Sequence, residues 1–102
     1  IIYASKFGGG VTIGGNTLIA AQCYIIDTDH GIKAGRLIRN QGNTVSPISI
    51  GKDCWIAANC TILKGAKISD GAVIGAKSLV KGTVESNSIS VGIPARHLKF
   101  RE

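Results

Sequence analysis

Eleven six-residue blocks of this chain open on a large apolar residue, and their register breaks once, beside a histidine. Ile1, Phe7, Ile13, Ile19 and Ile25 open the first five; Ile50, Ile56, Ile62, Ile68, Ile74 and Val80 open the next six. A strict period of six is neither helical nor the plain alternation of a strand, so it implies a stacked repeat. His30 and a stretch that fits no block separate the two runs.

The fifth position of each block is small in ten of the eleven: Ser5, Val11, Thr17, Cys23, Cys54, Cys60, Ala66, Ala72, Ser78 and Val84, with Asp29 the exception. One large and one small inward residue per block suit a narrow interior. The fourth position collects Gly10, Asn16, Asp53, Asn59, Gly65 and Gly71, residues that accept a left-handed backbone at a corner. Three strands and three corners close a triangular coil of about eighteen residues. Stacked coils bury the ladder and pair the backbone of each coil with its neighbours.

The length of 102 residues allows one domain, 1–102. The interior of one thin prism is slim, so a flanking element or partner subunits are expected to support it. The chain starts Ile-Ile-Tyr and holds no methionine, as expected of a piece of a longer protein that lacks an N-terminal segment. No stretch resembles a signal peptide or is apolar enough for a membrane span, and a cytoplasmic location is expected.

Twelve basic and six acidic residues give a net charge of +6. Lys64, Lys67, Lys77, Lys81, Arg96, Lys99 and Arg101 gather late, which suits contact with a few phosphates; a merely solvated surface is the alternative. Nucleic acid is not expected, because no aromatic stacking set accompanies the charge. Cys23, Cys54 and Cys60 all fall on the small inward position and read as core filling. No paired C-x-x-C spacing exists, so no metal is expected.

Residues 31–46 leave the repeat, and a loop this long on a compact coil is usually functional or disordered. It carries Gly31, Gly35 and Gly42, with Arg36 and Arg39 between them. His30 stands at its root, next to rigid strands, which is a good location for a positioned base. Asp27 and Asp29 lie beside it and either orient the ring, bind a ligand or cap the loop; Asp29 is favoured because it breaks the small-residue rule. Trp55 is the only tryptophan and occupies an outward position, as a binding surface would use it.

The blocks over 1–30 and 50–85 resemble the hexapeptide-repeat, left-handed parallel β-helix family. The resemblance implies an all-β, single-stranded left-handed parallel β-helix, a triangular prism with one protruding loop and a short C-terminal tail. More specifically, Ile19-Ala20 through Asp29-His30-Gly31, then Pro47-Ile48-Ser49-Ile50-Gly51 to Trp55-Ile56-Ala57, is similar to the family's sugar O-acetyltransferases. Val91-Gly92-Ile93-Pro94-Ala95-Arg96 resembles their C-terminal Gly-x-Pro-Ala segment. Asp27-Thr28-Asp29-His30-Gly31 looks closest to enzymes that acetylate cell-surface polysaccharides or lipopolysaccharide.

This resemblance implies transfer of an acetyl group from acetyl-CoA to a sugar hydroxyl by a homotrimer, without a metal. His30 matches the family's general base, with Asp29 beside it. Trp55, Ala58 and Ala76 match positions along the donor groove, and Arg96 and Lys99 match basic tail positions near the CoA phosphates. Lys81 is a weaker match, since the family often has Thr-Lys where this chain has Val80-Lys81-Gly82. His97 reads as a bystander. Rival readings are an N-acetyltransferase of an amino sugar, a serine O-acetyltransferase, and a non-catalytic trimerising β-helix. A metal-dependent hydratase of this fold needs about three imidazole ligands, and only His30 and His97 exist.

Overall fold

The computed structural model describes residues 1–6 and 9–102. Short parallel strands stack into three faces of a left-handed parallel β-helix. The first face carries Ile2–Tyr3, Tyr24–Ile26, Thr61–Ile62 and Leu79–Val80. The second carries Val11–Ile13, Ile48–Ile50, Lys67–Ile68 and Thr83–Val84. The third carries Leu18–Ile19, Trp55–Ile56, Val73–Ile74 and Ser88–Gly92, and Ala95–Phe100 folds back antiparallel to close it. What reads as a tail in the sequence is thus the end strand of a sheet. No helix is long and apolar enough to cross a membrane among the described residues.

The ladder runs as the period demands through the middle of the prism. Ile50 stacks on Ile68, Ile56 on Ile74 and Ile62 on Val80, eighteen residues apart in each case. All six are almost wholly buried, with Cys54, Cys60, Ala66, Ala72 and Ser78 sealed between them. Asn16, Asp53 and Asn59 turn the corners with φ of 62°, 55° and 60°, and Gly10, Gly65 and Gly71 also have positive φ. Gln22, Lys77 and Asn87 adopt the same conformation without being glycine, since each corner requires it.

The register departs from six at three places, all at the corner between the first and second faces. Ile13, Ile19 and Ile25 pair with Ile50, Ile56 and Ile62, thirty-seven residues on: one coil plus the inserted segment. Near the start, Ile2 rather than Ile1 pairs with Ile25. Ile1, expected in the ladder, is 84% exposed, since Ile2 takes its place opposite Ile25. Phe7 lies outside the described residues. Near the end, Val84 stacks on Ile68, sixteen residues back. Val84 therefore holds a large-residue place rather than the small one expected, because the corner after Val80 is shortened. Ser90 stacks on Ile74 and ends the ladder.

The outward side chains sort by face. Thr12, Ser49, Lys67 and Thr83 stand in register on the second face, all exposed. Tyr24, Thr61 and Leu79 stand on the first, and Leu18, Trp55, Val73 and Ile89 on the third. One side of the prism is polar and two carry apolar ridges.

Candidate active site

The inserted segment is an ordered hairpin. Thr28–His30 pairs antiparallel with Asn43–Val45, His30 facing Asn43, so part of the expected loop 31–46 is strand. The Ser46 N–H donates to the Asp27 carbonyl at 3.0 Å and closes its base. The alternation that buries Cys23 and Ile25 continues one step and buries Asp27 completely. Its carboxylate accepts the Ser5 N–H at 2.8 and 2.9 Å and the Gly10 N–H at 2.5 Å, so it ties those two backbones together beneath the hairpin. Gly9 is pressed against this carboxylate and Val45, where any Cβ would collide. Of the two aspartates, then, Asp27 is the structural one, although it holds the backbones of Ser5 and Gly10 rather than capping the loop as expected.

Asp29 and His30 point to solvent instead. They line an open cleft of about 570 Å³ together with Lys33, Arg36, Thr44 and Lys64. The Asp29 carboxylate lies 3.8 Å from the Lys64 ammonium. No side-chain hydrogen bond or ion pair engages the His30 imidazole among the described residues, which leaves both ring nitrogens available to a ligand. Arg39 lies outside this cleft.

Trp55 lies elsewhere. It lines a smaller cleft of about 230 Å³ on the third face with Leu18, Val73, Asp53 and Arg101, and is 51% exposed. Ala58 and Ala76 occupy successive coils at the corner between the third and first faces, where the Lys77 N–H donates to the Ala58 carbonyl at 3.0 Å. At these two stacked positions the coils present only methyl groups, with the exposed Asn59 and Lys77 beside them, which suits a slender arm laid along the prism. Arg96 and Lys99 stand exposed on the closing strand opposite Val91 and Ile89. Lys81 is exposed just after Val80. His97 packs its ring 4.7 Å from that of Phe100. A single chain therefore brings Asp29 and His30 together and holds Trp55 in a separate cleft.

The cysteines are sealed. Cys23, Cys54 and Cys60 are buried thiols whose Sγ atoms donate to the carbonyls of Ala57, Ser69 and Gly75 at 3.1 to 3.2 Å. Burial pushes the Cys60 thiol above its ordinary pKa. Among the described residues no three His, Cys, Asp or Glu side chains converge as metal ligands would.

Sequence reasoning missed Lys64 as a cleft residue. It stands thirty-seven positions after Asp27, the same offset that separates stacked residues across the insertion. That offset becomes visible only once the hairpin's corner is known.

Residues 47–82 match the family described as bacterial transferase hexapeptide (six repeats). The chain is 40% identical over 93 residues to a Mycobacterium tuberculosis protein named as a probable acetyltransferase, covering 90% of this chain and 31% of that protein. It is 36% identical over 97 residues to an Escherichia coli protein named for O-acetyl transfer in lipopolysaccharide biosynthesis, covering 87% of this chain and 50% of that one. Among solved structures it superposes on a galactoside acetyltransferase in complex with coenzyme A. The TM-score there is 0.84 at 35% identity, covering 90% of this chain and 46% of that chain. The chain spans half or less of the length of each of these relatives.

Proposed function

This chain belongs to the hexapeptide-repeat transferases, and from that premise we propose that it transfers an acetyl group from acetyl-CoA to a sugar hydroxyl. The observation that carries the proposal is His30: an exposed imidazole without an internal partner, standing in a cleft at the base of a hairpin fixed to a rigid coil.

In this reading His30 takes the proton of the acceptor hydroxyl while that oxygen forms a bond to the acetyl carbonyl carbon. The carbon–sulfur bond breaks, and the protonated His30 returns the proton to the departing thiolate. Such base assistance is typically worth 10²–10⁴-fold in rate. The acetyl thioester supplies an activated acyl carbon, so no acyl-enzyme is needed. Buried thiols bonded to backbone carbonyls are poor candidates for one. Asp29 lies in the cleft to bind the acceptor or steady the His30 side. Trp55, the Ala58–Ala76 corner, Lys81, Arg96 and Lys99 hold the donor, with the cations directed to its phosphates.

Both halves act in one site when the third face of one chain lies beside the hairpin of another. The two apolar outer faces support that arrangement, and a homotrimer closes it. We take a cell-surface glycan of the lipopolysaccharide type as the acceptor class and the cytoplasm as the place of synthesis, supported by the Asp27-Thr28-Asp29-His30-Gly31 segment and the Escherichia coli relative.

The test pairs calorimetric titration of acetyl-CoA with thiol release across an acceptor panel. Saturable donor binding, weakened by Trp55→Ala, with sugar-dependent thiol release lost in His30→Ala, is the expected result. Absence of donor binding by the folded protein, or full activity in His30→Ala, would sink the proposal.

A further inference from the structure

The His30 cleft carries more positive charge than its own carboxylate neutralises. Its ionisable lining, beside the histidine, is Asp29, Lys33, Arg36 and Lys64. Asp29 and Lys64 face each other at 3.8 Å. Lys33 and Arg36 have no ion-pair partner among the described residues. Nor do they hang on a loose strand. The Gln41 amide accepts the Lys33 N–H at 2.9 Å and donates to the carbonyls of Lys33 and Arg36 at 3.0 and 3.3 Å. One side chain thereby fixes both backbones, and the Gly31 N–H to Gly42 carbonyl bond at 2.9 Å closes the turn around it.

We infer that this cleft selects an acceptor sugar bearing a carboxylate, held by Arg36 and Lys33 while a hydroxyl of the same sugar is presented to His30. The inference rests on the acetyl-transfer reading for the role of His30, but the anion site stands on the charge arrangement itself. Two uncompensated cations at the mouth of a concave site raise the local concentration of anions. A guanidinium offers a planar fork that matches a carboxylate with two parallel hydrogen bonds, which an ammonium cannot do. A neutral sugar would leave that fork without a partner. A sugar phosphate shares the charge and can also take two parallel hydrogen bonds from a guanidinium, so it enters the test as a separate arm.

Methyl galacturonide and methyl galactoside make the matched pair, differing only in a carboxylate against a hydroxymethyl group; galactose 6-phosphate is the third arm. Binding of each is measured by NMR titration without donor, and kcat/KM is measured with saturating acetyl-CoA. The galacturonide should be favoured by roughly tenfold or more, in line with charge-assisted hydrogen bonds. Raising ionic strength from about 0.05 to about 0.5 M should erode that preference. Arg36→Glu should abolish it, whereas Arg39→Glu, outside the cleft, should leave it intact.

Equal treatment of the three sugars, or a preference indifferent to Arg36→Glu, overturns the inference. A preference for the phosphate over the galacturonide overturns the carboxylate assignment. Arg36-dependent binding of galacturonide without acetyl transfer supports the anion site and defeats the acetyl-transfer reading. Transfer to galactoside as fast as to galacturonide does the reverse.

Discussion

Asp29 on the inserted hairpin and Lys64 on the following coil hold opposite charges 3.8 Å apart, bridging two segments thirty-five residues distant in sequence. Both side chains are partly exposed, so solvent screens the pair and its contribution to stability is under about 1 kcal/mol. Lys64→Ala should therefore barely move the thermal midpoint. It should weaken galacturonide binding, because the released Asp29 carboxylate would oppose the anion. A large loss of stability, or unchanged binding, would contradict this account.

Asp27 behaves differently although it lies only two residues away. Its sealed carboxylate satisfies the N–H groups of Ser5 and Gly10. Asp27→Ala strands those donors and should cost on the order of 2–5 kcal/mol by chemical denaturation. Gly9→Ala, which forces a methyl group into the carboxylate and Val45, should cost about 1–3 kcal/mol. Either variant unfolding like wild type would mean that the Asp27 carboxylate does not hold the Ser5 and Gly10 backbones.

The Cys60 thiol supplies a pH dependence with a definite sign. Its folded pKa is raised by burial, so the unfolded chain ionises first as pH rises. Stability from this group is intact below the ordinary thiol range of roughly 8.5. It falls as pH climbs through that range toward the higher folded value. Cys60→Ala should flatten the alkaline limb of the stability curve while losing about 1–2 kcal/mol at neutral pH. A limb equally steep in the variant would rule out this origin.

The sorting of outer side chains makes a claim about assembly. If the proposed trimer forms, Leu18→Glu on the third face and Tyr24→Glu on the first should shift sedimentation from trimer toward monomer. Ser49→Glu, on the polar second face, should not. Dissociation by Ser49→Glu alone would place the contact on the wrong side of the prism.

Much of this was legible in the chain itself, for identifiable reasons. Each coil repeats one steric problem, so the ladder from Ile50 to Val80 and the corners at Asn16, Asp53 and Asn59 announce themselves by spacing. Counting by six fails where the corner changes length without changing polarity. Val84 is apolar in either register, and Ile1 and Ile2 are chemically interchangeable. The difference between Asp27 and Asp29 lay in a local signal of another kind. The inward alternation Cys23, Ile25, Asp27 runs past the block boundary and points Asp27 into the interior. Lys64 had no such signal, since its meeting with Asp29 depends on where the hairpin leaves the coil.

The bond from Ser46 to Asp27 has a consequence for how such proteins diversify. It ties off the hairpin at its neck, so the coil beyond resumes at Ile48–Ile50 as though nothing had intervened. A segment mounted this way is a cassette: its length and residues can drift, or be exchanged by design, without disturbing the stacked isoleucines. Selectivity for one partner molecule can then change while the surface for the other is inherited intact.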